Sequence, residues 1–222
     1  MLLVHGFATS CDRTWRETGM IDLLEDAGRT VIGVDLLGHG SAPKPHEPEA
    51  YDHLEDSLLE VLPPDGVVDA IGYSLGARLV LGLASRHPSR FGRLVVAGAG
   101  ENLFRDDRRG TLADALERGA AEDDVVAGHF VQLANASGND VEALVACLRR
   151  HEEPMTAAGL AAITSPVLVA LGDEDFAGPA DPLLDALTDA RLVVLPGVDH
   201  FVTPKSFAFI DAALEFLDAL PS

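Results

Sequence analysis

An α/β architecture, an open and mostly parallel sheet of about six strands with helices on both faces, is what the order of apolar runs in this 222-residue chain predicts. Three observations carry the expectation. Short β-branched runs alternate with longer stretches of helical periodicity. The short runs are apolar almost throughout, and turns rich in Gly, Asp and Pro follow several of them. A strand apolar on both faces needs cover on both, which crossover helices give a parallel sheet.

The expected strands are 2–5, 30–34, 67–71, 93–97, 166–171 and 191–195. Helical patterns fall near 15–27, 50–62, 75–86, 179–188 and 204–219. In the third of these Leu75, Leu79 and Leu83 recur every four residues beside Val80, an apolar stripe on one face. Residues 101–161 break the alternation: they hold no strand-like run and read as several short helices. An insertion of this kind is expected to form a cap over the ligand crevice at the strands' carboxyl ends. The chain is thus expected to be one domain, 1–222, with the helical cap inserted at 101–161. Residues 41–48 (SAPKPHEP) form a stiff, Pro-rich surface loop.

Composition sets the outer bounds. With 47% hydrophobic and 23% charged residues, the chain can bury a core without staples. A formal charge of −20 argues against nucleic acid, whose phosphates need a basic footprint, and disfavours anionic membrane surfaces. No 18-residue apolar stretch occurs, so no transmembrane helix is expected. Met1-Leu2-Leu3-Val4 lacks a basic leader and reads as a strand, not a signal peptide. Cys11 and Cys147 suggest no disulfide framework, and a reducing, cytoplasmic setting is the simpler expectation.

Chemistry centres on Gly72-Tyr73-Ser74-Leu75-Gly76, set between a strand-like and a helix-like run. A Gly-x-Ser-x-Gly there forms a sharp, strained turn that lifts the serine hydroxyl above the sheet. A serine hydroxyl is a poor nucleophile at neutral pH, so it needs a base, a carboxylate to orient that base, and backbone donors for the developing oxyanion. Each has a candidate. Gly172-Asp173-Glu174-Asp175 follows one strand, and Gly197-Val198-Asp199-His200-Phe201 follows the next. At the N-terminus His5-Gly6-Phe7 follows the first strand, where the N–H of Phe7 would pair with that of Leu75.

With HGF at 5–7, DLLGHGSA at 35–42, GYSLG at 72–76, GDED at 172–175 and GVDH at 197–200, the chain resembles the α/β-hydrolase superfamily over essentially its whole length. The resemblance implies Ser74 as nucleophile, His200 as base, and the Phe7 and Leu75 amides as oxyanion hole. It points to Asp175 as the acid, with Asp173 its rival on the same turn and Glu101 a lesser one. Superfamily members usually begin with an antiparallel hairpin before the His-Gly strand. Here the chain starts at that strand, so either the sheet is trimmed or the start is truncated.

His-Gly-Phe with Gly-Tyr-Ser-Leu-Gly-Ala-Arg is also similar to the menaquinone-pathway lyase that eliminates pyruvate. There the serine acts as a base, and the arginine matching Arg78 helps to hold substrate carboxylates. The leading expectation is hydrolysis of a small-molecule carboxylic ester, thioester or lactone through an acyl-enzyme. C–C hydrolysis, the lyase reaction and a non-catalytic receptor are the alternatives. Arg78, Phe7, Tyr73 and Phe201 are the expected substrate-binding residues, and Trp15 the core. Arg78 either holds substrate or sits on the helix surface. Arg105, Arg108 and Arg109 read as a solvated charged run or an anion clamp. His5 and His39 are expected to hold their turns. The remaining histidines (His46, His53, His87, His129 and His151) lack the paired spacing of metal ligands, so neither metal nor cofactor is expected. Oligomeric state is not legible.

Overall fold

The computed structural model describes residues 1–105 and 108–220; residues 106, 107, 221 and 222, which include two positions of the expected cap, lie outside the described residues. Six strands form one sheet: β1 (Leu2–Val4), β2 (Ile32–Val34), β3 (Val68–Tyr73), β4 (Phe91–Ala97), β5 (Val167–Gly172) and β6 (Ala190–Leu195). Their order is β2-β1-β3-β4-β5-β6, and every neighbouring pair is parallel. The period-two pleat explains the continuous apolar runs. Leu2 and Val4, Leu94 and Val96, and Val167, Val169 and Leu171 enter one core, whereas Leu3, Val95, Ala97, Leu168 and Ala170 enter a second on the opposite face.

Helices α1 (Met20–Asp26) and α9 (Phe207–Phe216) cover the second core; α2 (Asp56–Val61), α3 (Leu75–Arg86) and α8 (Asp181–Ala186) cover the first. Only α3 spans the range its periodicity predicts. The expected helix at 15–27 is instead a π turn, Asp12–Arg16, followed by α1, because Gly19 adopts φ +81° between them. Similarly, the pattern at 50–62 divides into a 3₁₀ turn, Pro48–Tyr51, and α2. Trp15 is fully buried against Phe209 of α9.

Among the described residues, the β4–β5 connection carries a 3₁₀ turn (Glu101–Phe104) and four helices: α4 (Arg109–Arg118), α5 (Val125–Ala134), α6 (Val141–Arg149) and α7 (Ala157–Leu160). Asp124 and Asp140 cap α5 and α6, their carboxylates accepting from the N–H of Ala127 and Ala143. Among the described residues no helix is long and apolar enough to cross a membrane, and no cluster of three metal-ligating side chains occurs. Cys11 and Cys147 are buried free thiols.

Candidate active site

Ser74 occupies the peptide joint between β3 and α3 with φ +54° and ψ −112°, a conformation costly for any residue with a Cβ. Its N–H donates to Ala97 O at 2.8 Å, tying the joint to β4. The flanking glycines allow the close approach that the turn requires. A Cβ on Gly76 would run into the Val4 carbonyl, and one on Gly72 would sit 2.5 Å from Gly76 O.

The side chains predicted from separate loops meet at this crest. Ser74 Oγ lies 2.8 Å from His200 Nε2, and His200 Nδ1 lies 2.9 and 3.0 Å from the two carboxylate oxygens of Asp175. An ionised carboxylate only accepts, so Nδ1 carries the proton and Nε2 can accept from the hydroxyl. Asp175 and His200 are buried, and Asp175 Oδ1 also accepts from the Ala177 N–H at 2.8 Å. The rival acids lie elsewhere: Asp173 accepts from the Gly197 N–H at 2.7 Å, and Glu101 pairs with Arg105.

His200 is fixed on several sides. The Tyr73 hydroxyl donates to His200 O at 2.7 Å, the Phe176 ring lies 4.3 Å from the imidazole, and Gly98 passes beneath it. A Cβ on Gly98 would stand 3.0 Å from His200 Cε1, at a φ of +63°. Gly98 and Phe176 are not legible as site residues from the sequence, although Phe176 adjoins Asp175 and Gly98 directly follows β4.

His5 holds the loop after β1. Its Nε2 accepts from the Leu36 N–H at 3.0 Å, so Nδ1 carries the hydrogen and donates to Gly6 O at 2.7 Å. Gly6 O belongs to the same trans peptide as the Phe7 N–H, so fixing the carbonyl aims the N–H the opposite way. Burial pushes the His5 pKa down to about 4, and that of His39 down to about 3, keeping both neutral. Among the described residues neither the Phe7 nor the Leu75 N–H has an acceptor.

A cavity of about 640 Å³ opens from Ser74. Phe7, Leu75 and Arg78 line it from the sheet side; Leu103, Leu112, Val126, Phe130 and Leu148 supply apolar wall from the β4–β5 connection. Tyr73 and Phe201 are not among the lining residues: Tyr73 is buried under His200, and Phe201 backs Phe130 at a ring separation of 5.0 Å.

Arg78 lines the cavity and so does not simply sit on the helix surface, and its guanidinium is partnered within the protein. Its Nε meets Glu152 Oε2 at 2.8 Å, and its Nη1 and Nη2 donate to Leu103 O and Glu153 O at 3.0 and 3.2 Å. Arg109 and Arg150 reach the same carboxylate at 3.2 and 2.6 Å. Arg105, Arg108 and Arg109 are not a purely solvated run, because all three line the cavity, Arg108 lying over the Phe176 ring at 5.7 Å. Glu152 carries no motif, and only the fold brings it to these arginines.

Similarity to known proteins agrees with this geometry. A family model described as alpha/beta hydrolase fold matches residues 1–127. The chain is 28% identical to the biotin biosynthesis bifunctional protein BioHC of Teredinibacter turnerae over 64% of its own length, although that match spans only 24% of the relative. It is 26% identical to a pimeloyl-[acyl-carrier protein] methyl ester esterase of Nitrosomonas europaea over 90% of this chain and 88% of the other. A putative 2-succinyl-6-hydroxy-2,4-cyclohexadiene-1-carboxylate synthase of Bacillus subtilis is also 26% identical, covering 99% and 90%. NosK from Streptomyces actuosus superposes with a TM-score of 0.73 at 25% identity, covering 100% and 98%. Six parallel strands in this order, a serine at the strained β3–α3 joint and the matching family model lead to one conclusion: the chain belongs to the α/β hydrolase fold family.

Proposed function

We propose that the chain is a serine hydrolase that cleaves a small-molecule carboxylic ester, thioester or lactone through an acyl-enzyme. The observation that carries this reading is the continuous run of hydrogen bonds Asp175–His200–Ser74, all between 2.8 and 3.0 Å. In the proposed mechanism His200 Nε2 takes the Ser74 proton as Oγ attacks the carbonyl carbon. The carbonyl oxygen becomes an oxyanion that accepts from the Phe7 and Leu75 N–H groups. Collapse expels the alcohol or thiol, which takes the proton back from His200. A water then attacks the acyl-enzyme by the same route, releasing the acid and free Ser74. Asp175 holds the imidazole in its working tautomer and stabilises the imidazolium. No cofactor takes part.

Residues 1–222 are read as one domain in which the helices at 101–161 act as a cap. Their apolar side chains favour a medium-length acyl chain, and the esterase similarity of the Nitrosomonas relative supports an ester over a C–C bond. A second reading, the pyruvate-eliminating lyase, draws on the near full-length match to the Bacillus subtilis synthase. Against it, the Arg78 guanidinium is already held by Glu152 and two backbone carbonyls. Turnover of a p-nitrophenyl ester series separates the two. Clear activity abolished in Ser74→Ala is the expected result, and no turnover above a trace on any ester contradicts the esterase.

A further inference from the structure

The loop after β1 is gripped on both sides of Phe7. Upstream is the His5 bond to Gly6 O. Downstream, Ala8 O accepts from Asn139 Nδ2 at 3.0 Å. Asn139 lies 131 residues further along the chain, in the connection between α5 and α6. The same nitrogen also lies 2.8 Å from Leu133 O, so one amide hydrogen holds it to the end of α5 while the other reaches the loop.

Ala8 is where such a hold matters. It is fully buried with φ +57°, a left-handed conformation in which Cβ crowds the backbone. Nothing in its own side chain favours that state. The connection that supplies Asn139 is itself moored to the body. Arg13 donates to Ser137 O, and Asp140 meets His46 at 3.0 Å.

We infer that Asn139 is a positioning residue for the Phe7 amide: by holding Ala8 in its left-handed state, the helical insertion completes the oxyanion-binding pair. This rests on the proposal that the Phe7 N–H serves that purpose. It makes the insertion part of the catalytic geometry as well as a wall of the cavity.

The test is a double-mutant cycle on the full chain with a p-nitrophenyl ester, using Asn139→Ala, Ala8→Gly and their combination. Losing an oxyanion donor outright costs roughly 10²–10³ in kcat, so misaiming one is expected to cost about tenfold, with KM changed less than about twofold. Ala8→Gly alone is expected to stay within about twofold. Glycine adopts the left-handed state freely, so in the Asn139→Ala background it should recover at least about threefold. A residue that merely stabilises the insertion would not be rescued from position 8. Asn139→Asp, which keeps the size and loses both donors, should repeat the kcat loss and guards against a folding defect peculiar to the alanine variant. Full kcat in both Asn139 variants, or an Asn139→Ala loss that Ala8→Gly leaves unchanged, overturns the inference. Ser74→Ala run alongside separates the two failures: turnover that survives it overturns the hydrolase proposal itself, whereas turnover lost there but untouched by Asn139→Ala overturns only the role of Asn139.

Discussion

The two walls of the cavity are held by different forces. On the sheet side, Ser74, His200 and Asp175 are fixed by backbone joints and short hydrogen bonds: the strained β3–α3 turn, Tyr73 on His200 O, and Gly98 beneath the imidazole. On the insertion side the side chains are fixed by charge: Arg109 and Arg150 converge on Glu152, and Arg78 reaches across from α3 to the same carboxylate. The first arrangement tolerates little displacement, since a misplacement of about 1 Å can cost 10²-fold in rate. The second depends on ionisation and on a single carboxylate. Under the proposed function the sheet side suits chemistry, and the cavity-lining side chains of the insertion, which do not include Asn139, can vary the substrate without rebuilding it.

Substitutions sharpen the contrast. The largest effect is expected at the sheet side. His200→Ala should lower kcat by at least ~10³ with the circular dichroism spectrum unchanged. Asp175→Asn should cost ~10³ or more, because the neutral amide no longer selects the Nδ1–H tautomer. A variant of either residue that keeps more than a tenth of the activity breaks the contrast.

On the insertion side the expected loss is in stability. Glu152→Gln leaves the nearly buried Arg150 and Arg78 guanidiniums without their shared carboxylate. Breaking one partner of a buried ion pair costs about 3–5 kcal/mol, so urea unfolding should shift by an amount of that order. An unchanged midpoint would mean that the charged cluster does not hold the insertion.

Acid should also destabilise the protein through the sheet side. His5 and His39 have folded pKa values lowered to about 4 and about 3, from 6.5. The unfolded chain therefore binds more protons between those values and 6.5. The stability these two groups give is complete above pH 6.5, falls as the pH drops, and has gone below their folded values. Unfolding midpoints at pH 7, 5.5 and 4.5 should fall more steeply in the parent protein than in His39→Gln; parallel slopes would contradict the assignment. The smallest effect is expected for Asp173→Asn, which keeps an acceptor for the Gly197 N–H and should change kcat by less than about threefold.

What the sequence reveals follows the same division. The six strands are readable because pleated, doubly buried strands must be apolar throughout, and their boundaries shift by at most two residues at either end. Ser74, His200, Asp173 and Asp175 are readable because the proposed chemistry would demand those residue types after particular strands. Choosing Asp175 over Asp173 on geometry needs the turn itself, since both carboxylates occupy one four-residue loop. The Glu152 cluster has no such signature. Its members sit on three separate segments, and only packing shows that Arg78 faces an internal carboxylate. Tyr73 and Phe201, expected among the substrate-binding residues, do not line the cavity: the pleat sets Tyr73 beside the imidazole, and Phe201 stands behind Phe130. Asn139 escapes notice for a related reason: its acceptor is a backbone carbonyl, which carries no sequence signal.

Labelling with a fluorophosphonate, followed by mapping of the modified peptide, tests the central claim most directly. The prediction is a single adduct on Ser74, formed rapidly in the parent protein, slowed by at least ~10³ in His200→Ala and absent in Ser74→Ala. An adduct on any other residue, or undiminished labelling of Ser74 without His200, would contradict it.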